Sequence, residues 1–360
     1  MTPAATSPTL VGRVDPQLPF SAERRRHDWP ECLLFQKRTA IMKSLLAFAG
    51  RHGPLLLFFG VLTGFMFPAL AAAAKPWMGA SVFVFTLGAF LKVDGKAFRA
   101  ELRRPWRAAA VLAWTLAGVR ALAWVLVHLL ALPADIGLAI VLCMLAPPVG
   151  SAAAMAAMLG LNAALALAAT IAISLLAPLY LPPITALIGG SAAHIDAVAM
   201  FGRIVAVIGA SAGVAFLLRR FAGNFVLRNP SAMTGVSVVG LLTVAIGAMH
   251  GMPEHVLGHG VQAMQLMGLA FAVNIGFQLV GFLLFSRLGF TDALTVGLVS
   301  GNRNVTLVWV VVAPWLGGMP LVEVYLAASV FPIFMLPLLT KLLMARRPMP
   351  ASLTNRVPAP

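Results

Sequence analysis

The chain of 360 residues is 60% hydrophobic and only 10% charged, with a mean hydropathy of +0.93. Those proportions exceed what a soluble domain carries; they predict an all-α polytopic membrane protein and leave no room for an enzymatic domain of ordinary size. A net charge of +15 comes from 26 Lys and Arg against 11 Asp and Glu, and the two cysteines, Cys32 and Cys143, exclude a disulfide framework or a CxxC metal site.

Residues 1–53 are polar and basic, with Arg24-Arg25-Arg26 and Lys37-Arg38, and predict a cytoplasmic tail rather than a signal peptide. Met42-Lys43 offers an alternative translation start within that tail. Apolar runs of about 20 residues then recur, which is the length of a membrane-spanning helix. Ten spans are expected: 54–74, 77–92, 107–131, 135–159, 162–186, 196–218, 231–250, 260–285, 290–313 and 319–342. They form a first five-span segment, 54–186, and a second, 196–342, followed by a cytoplasmic tail, 343–360.

The basic residues test that layout independently. With the N-terminus inside, 22 of the 26 Lys and Arg fall in inside segments and only Lys75 falls in an outside loop, Arg120, Arg203 and Arg303 lying within spans. The positive-inside rule therefore orients the chain N-in and C-in, in the manner of a bacterial inner-membrane protein. The positive charge is then read as orientation and attraction to anionic lipids of the bilayer, not as nucleic-acid binding.

Two spans are interrupted. Pro147-Pro148-Val149-Gly150-Ser151 breaks the fourth, removing two N–H donors and lowering helix propensity over a whole turn. Ser300-Gly301-Asn302-Arg303-Asn304 breaks the ninth, and an arginine between two asparagines inside the membrane marks a functional site. Each is the fourth span of its set of five, and five being odd, the second set enters the membrane in the opposite sense. This predicts an inverted five-plus-five repeat whose broken helices 4 and 9 cross at mid-depth, the arrangement of a transporter's binding site.

The run Ala146-Pro147-Pro148-Val149-Gly150-Ser151, continuing through Leu159-Gly160-Leu161-Asn162-Ala163-Ala164-Leu165 to Thr170 and Ser174-Leu175-Leu176-Ala177-Pro178, resembles the broken fourth span and the fifth span of the bile acid:sodium symporter family. Gly301-Asn302-Arg303-Asn304 resembles that family's ninth-span crossover, and the likeness extends from Pro54 to Lys341 as span count, orientation and motif placement. The resemblance implies a core of spans 3, 4, 5, 8, 9 and 10 moving against a panel of spans 1, 2, 6 and 7. It also exposes departures. Where family members with sodium sites carry Ser-Asn after the fourth-span break and Ser early in span five, this chain has Ala152, Ala153 and Ala166; of those polar ligands only Thr170 remains. The family's Glu-x-x-x-Gln-Asn falls on Val299, Arg303 and Asn304. A hard cation needs oxygen ligands, so sodium is disfavoured, with the guanidinium filling the vacated space electrostatically, and no other cofactor or metal is expected.

The substrate-binding and crossover residues are accordingly Pro147, Pro148, Gly150, Ser151, Thr170, Gly301, Asn302, Arg303 and Asn304, with Arg120, His128 and Asn274 as candidate cavity-lining residues. Arg303 either contacts an anionic substrate or plugs the break against backbone carbonyls. Asn302 and Asn304 suit the capping of broken helix ends, and Asp292 the first turn of span nine. His250, Glu254, His255 and His259 fit no strong metal motif. The expected activity is secondary transport of a small organic anion. Two alternatives remain on sequence: a channel or sensor on the same fold, and arsenite-type efflux through Cys143, which lies four residues before the break.

Overall fold

A computed structural model describes residues 29–92, 101, 103–193, 195–316 and 318–345; the expected tails before 29 and after 345, and most of the basic segment 92–107, lie outside the described residues. The chain falls into two units, 1–44 and 45–360. The described part of the first is helical and belongs to α1 (Trp29–Met66).

Among its described residues the second unit consists of helices and the turns that connect them, with one isolated bridge. After α1 come α2 (Pro68–Ala74), a 3-10 turn at Lys75–Trp77 and α3 (Met78–Leu91). Then α4 (Pro105–Ala113), a π turn at Trp114–Gly118 and α5 (Val119–Leu129) form one apolar rod. The interrupted pair α6 (Ala134–Leu145) and α7 (Ala152–Met158) precedes the long α8 (Ala163–Ala193) and α9 (Ala197–Arg228). Next are α10 (Pro230–Gly247), α11 (Met252–Gly258) and α12 (Gly260–Leu284). A second interrupted pair, α13 (Phe290–Gly301) and α14 (Val305–Val312), leads to α15 (Pro320–Ala345).

Seven helices among the described residues are long and apolar enough to cross a membrane, or eight if the bent pair Thr39–Gly53 and Leu55–Met66 counts as one span. Their outward faces are apolar too: Phe216, Phe221, Leu227, Leu257, Val261 and Met264 are exposed. A surface of this kind is at home in hydrocarbon and not in water. The protein is therefore an α-helical integral membrane protein.

The boundary between the first two expected spans moves. Sequence reading divides them at Lys75-Pro76, whereas the helix ends at Met66 and a single run continues from Pro68 to Leu91. Pro68 excludes the helical conformation from the residue before it, and Phe67 accordingly sits at φ −122°, ψ 81°. Pro76 lies in the first turn of a 3-10 segment, where its missing N–H costs nothing, and the rod passes through. Residues 29–53, expected as tail, are likewise helical and belong to α1. Further on, α9 extends past its expected end at 218 to Arg228, kinked at Ala222, and is capped by Asp196, whose carboxylate accepts from the N–H groups of Val198 and Ala199 at 2.8 and 3.1 Å.

Small residues set the helix packing. On α10, a Cβ at Gly235 would lie 1.9 Å from the Leu46 carbonyl oxygen and one at Gly240 2.8 Å from the Ser81 carbonyl oxygen. Thus α1 and α3 both seat against α10 with backbones in contact, the usual means of association where lipid removes the hydrophobic drive between helices. Helix α3 also packs on α9, while α12 packs on α13 and α15, and α15 on α6.

Candidate functional site

The two interruptions meet. Both α6 and α13 end in mid-run, and the non-helical residues that follow pair antiparallel, with Pro148 opposite Arg303. Val149 N–H donates to the Asn302 carbonyl at 3.0 Å and Asn304 N–H to the Pro147 carbonyl at 2.7 Å. Neither bond needs a proline N–H, so Pro147 and Pro148 can stop α6 and still contribute a carbonyl to the crossing. Gly301 is the last helical residue of α13 rather than part of the open stretch. It must be glycine, because a Cβ there would lie 2.4 Å from the Asn274 carbonyl oxygen. Gly150 abuts α3, its would-be Cβ 3.3 Å from that of Ala89.

Arg303 is 0% exposed and lies between two helix ends. One terminal nitrogen donates to the Val299 carbonyl of α13 at 3.1 Å, the other to the Met144 carbonyl of α6 at 3.3 Å. The C-terminal ends of both half-helices carry partial negative charge and unpaired carbonyls, and one planar guanidinium serves both. In this conformation the guanidinium is bonded to backbone carbonyls at the break, as in the second of the two sequence alternatives, and is closed from solvent.

Arg120 repeats the device. It is 8% exposed, donates to the carbonyls of Thr115 (2.6 Å) and Leu116 in the π turn and to that of Leu145 (3.2 Å), and lies 4.0 Å from the centre of the Tyr180 ring. The Tyr180 hydroxyl also donates to Leu145, at 3.1 Å. The end of α6 is thus held by two arginines and a tyrosine. No carboxylate among the described residues pairs with either arginine, which leaves two positive charges inside the protein balanced only by dipoles.

Asn274, a candidate cavity-lining residue on α12, spends its side chain on hydrogen bonds to the broken neighbour and to Gln278. It is buried at the crossing, donating to the Gly301 carbonyl at 2.9 Å and to the Asn302 side chain at 3.3 Å, and it accepts from Gln278 at 2.6 Å. A polar side chain facing a broken neighbour finds better partners in that neighbour's free carbonyls than in water. Asn304 caps α14, accepting from Leu307 N–H at 3.2 Å, whereas the buried Asn302 amide nitrogen has no partner. Asn304→Ala should therefore cost about 1 kcal/mol, read as a lowered unfolding midpoint in mixed micelles. Ser151 is buried with only the Met155 sulfur within reach, and Thr170 spends its hydroxyl on the Ala166 carbonyl at 2.8 Å.

Two clefts flank the break in the α6–α7 segment. An open one of about 670 Å³ lies along the half before it, lined by Arg120, Trp124, His128, Leu138, Leu145 and Ile188. His128 stands at its exposed rim, its ring tilted against that of Trp124 with centroids 4.1 Å apart. A smaller one of about 80 Å³ lies along the half after it, between α7 and the helices α1, α3 and α10.

Arg107, Glu101 and Trp114 take part without having carried a sequence signal. Arg107 pairs with Glu101 and with Asp292, and Asn162 bonds Asp292 at 2.8 Å while capping α8 through Leu165 N–H at 3.0 Å. Asp292 thus joins three chain segments besides favouring the start of α13. Trp114 donates to Ser300 at 2.8 Å from the π turn, a helix defect often found at functional sites. Cys143 is buried within α6 and stays out of the break. No family model matches the chain, and comparison with curated proteins finds no match.

Proposed function

We propose that this protein is a secondary transporter that moves a small organic anion across a bacterial inner membrane by alternating access. The observation that carries the reading is the hydrogen-bonded crossing of two interrupted helices with buried arginines at its centre. Interrupted helices at membrane depth are tolerated only inside protein or beside a wet cavity, and in transporters they mark the substrate path. Two clefts, one on each side of the same break, suit a pathway opened alternately from either end. The unpaired charges of Arg120 and Arg303 favour an anion through their field, without requiring contact with Arg303.

Counting the bent pair and the two interrupted pairs as one span each gives ten, five before and five after the α8–α9 connection. This supports an N-in, C-in inverted repeat like that of the bile acid:sodium symporters, in the bile/arsenite/riboflavin transporter superfamily. In that reading α1, α3, α9 and α10 are the panel, and α4–α5, α6–α7, α8, α12, α13–α14 and α15 the core. Coupling is not to sodium: methyl groups of Ala152, Ala153 and Ala166 stand where the resemblance calls for oxygen ligands, and the Val299 carbonyl is already bonded to Arg303.

Uptake of labelled carboxylates and steroid-like anions into proteoliposomes, with sodium or choline outside, tests both parts. Saturable uptake equal in the two salts is expected. Strong sodium stimulation overturns the coupling claim; flux that never saturates replaces the transporter by a channel.

A further inference from the structure

The small cleft after the break holds a charged group that the crossing does not use. Lys92 follows α3 and lines the cleft, its ammonium nitrogen closed from solvent and without a hydrogen-bond partner. A lysine that merely complements the dipole at the end of α3 would keep its head in water, as long basic side chains do at helix ends. Here the charge is desolvated, which is unfavourable unless an acceptor arrives. Beside it is Ser151, the last residue of the α6–α7 break, whose hydroxyl has no oxygen acceptor among the described residues. Arg51 of α1 stands on the same cleft.

We propose that this cleft is a carboxylate-binding site, with the Lys92 ammonium as its charge, the Ser151 hydroxyl as its second donor and Arg51 at its entrance. The assignment rests on the transporter reading for its role, since it lets a substrate anion touch the crossover on the side of α7. A space of about 80 Å³ has room for a carboxylate group. Among the described residues, the other groups lining the cleft or close to Lys92 in the chain are cationic or neutral. Arg51 comes from α1, and Arg219 of α9 donates to the adjacent Leu91 carbonyl at 3.3 Å; the α6–α7 break contributes the hydroxyl of Ser151 and α10 those of Thr234 and Ser237. No carboxylate among the described residues lines the cleft.

The site is therefore sensitive to pH. Burial pushes the empty Lys92 ammonium down to about 8 from its ordinary 10.5. Below that value the charge is present and an anion binds fully; above it the lysine must first recapture a proton, so affinity falls about tenfold for each further pH unit.

Acetate is the probe, with the full chain purified in detergent. In the parent, acetate should slow acylation of Lys92 by an amine reagent saturably and raise the melting midpoint, both effects fading above pH 8. Exposed Lys75 should react unchanged. Lys92→Arg should retain the acetate-dependent midpoint shift without its fading, because a guanidinium stays charged. Lys92→Met should weaken acetate by on the order of ten- to a hundredfold, the contribution of a charged hydrogen bond. Absence of protection, protection of Lys75 to the same extent, or an equal effect of chloride at matched ionic strength overturns the site. Acetate binding without saturable uptake of any anion would sink the transporter reading and leave the site; uptake indifferent to Lys92→Met would do the reverse.

Discussion

Replacing Arg303 by methionine should lower stability by about 2–3 kcal/mol and abolish uptake. The side chain volume is nearly kept, so the loss is electrostatic. Two carbonyls at the ends of α6 and α13 lose their charged donors, Met144 at 3.3 Å and Val299 at 3.1 Å. Each such bond contributes roughly 1.5–3 kcal/mol, and removing a buried charge without a carboxylate partner returns part of that sum. Lysine should recover about half of the loss, since a point-like ammonium reaches one carbonyl well and the planar fork reaches both. Unfolding in mixed micelles gives the stability, and equilibrium binding of the transported anion gives the function. A variant that melts like the parent but binds the anion weakly would show that Arg303 touches substrate and would remove the plug.

A single methyl group at Gly235 should be more damaging than most large substitutions on the lipid face. Its Cβ would lie 1.9 Å from the Leu46 carbonyl oxygen and 2.5 Å from the Leu46 carbonyl carbon, both backbone atoms that cannot rotate away. Helices α1 and α10 must separate, which costs upward of about 3 kcal/mol at the high end of overpacking. Gly276→Ala on α12 is the control, because nothing lies within 4 Å of its Cβ. There alanine should stabilise by up to about 1 kcal/mol through helix propensity alone. Size-exclusion profiles before and after a heating step separate the two, and a Gly235→Ala protein as robust as its parent would refute the α1–α10 contact.

What the sequence disclosed and what it hid differ by range. Prolines at 147 and 148 and the polar run at 300–304 act on their own backbone, so both interruptions were legible to within two residues, Ser300 and Gly301 belonging to α13. The helical character of the apolar runs was legible for the same local reason. Pro178, Pro182 and Pro183, by contrast, lie inside α8 without ending it, because neighbouring helices can compensate the freed carbonyls of a membrane helix. The partners of Arg303 and Arg120 were not legible, since Met144 is 159 residues from the first and Leu145 is 25 from the second. A carbonyl acceptor has no residue type, so no motif announces it. Arg107 and Asp292, 185 residues apart, do have complementary types, but nothing short of the folded bundle selects that pair from the other charges. Asn274 was legible as polar on α12; that its partner is the Gly301 carbonyl depends on the rotation of that helix.

The pairing of the two interruptions also bears on how the chain can change over generations. Val149 and Asn304 give their N–H groups to Asn302 and Pro147, so each stretch supplies donor and acceptor to the other. A substitution that shifts the backbone on one side leaves an orphan on the opposite side, some 150 positions away in the gene. Double-mutant cycles between positions 147–151 and 302–304 should thus be strongly non-additive. Among descendants of this sequence the two stretches are expected to drift together, a repaired pair being inherited where either half alone would be lost.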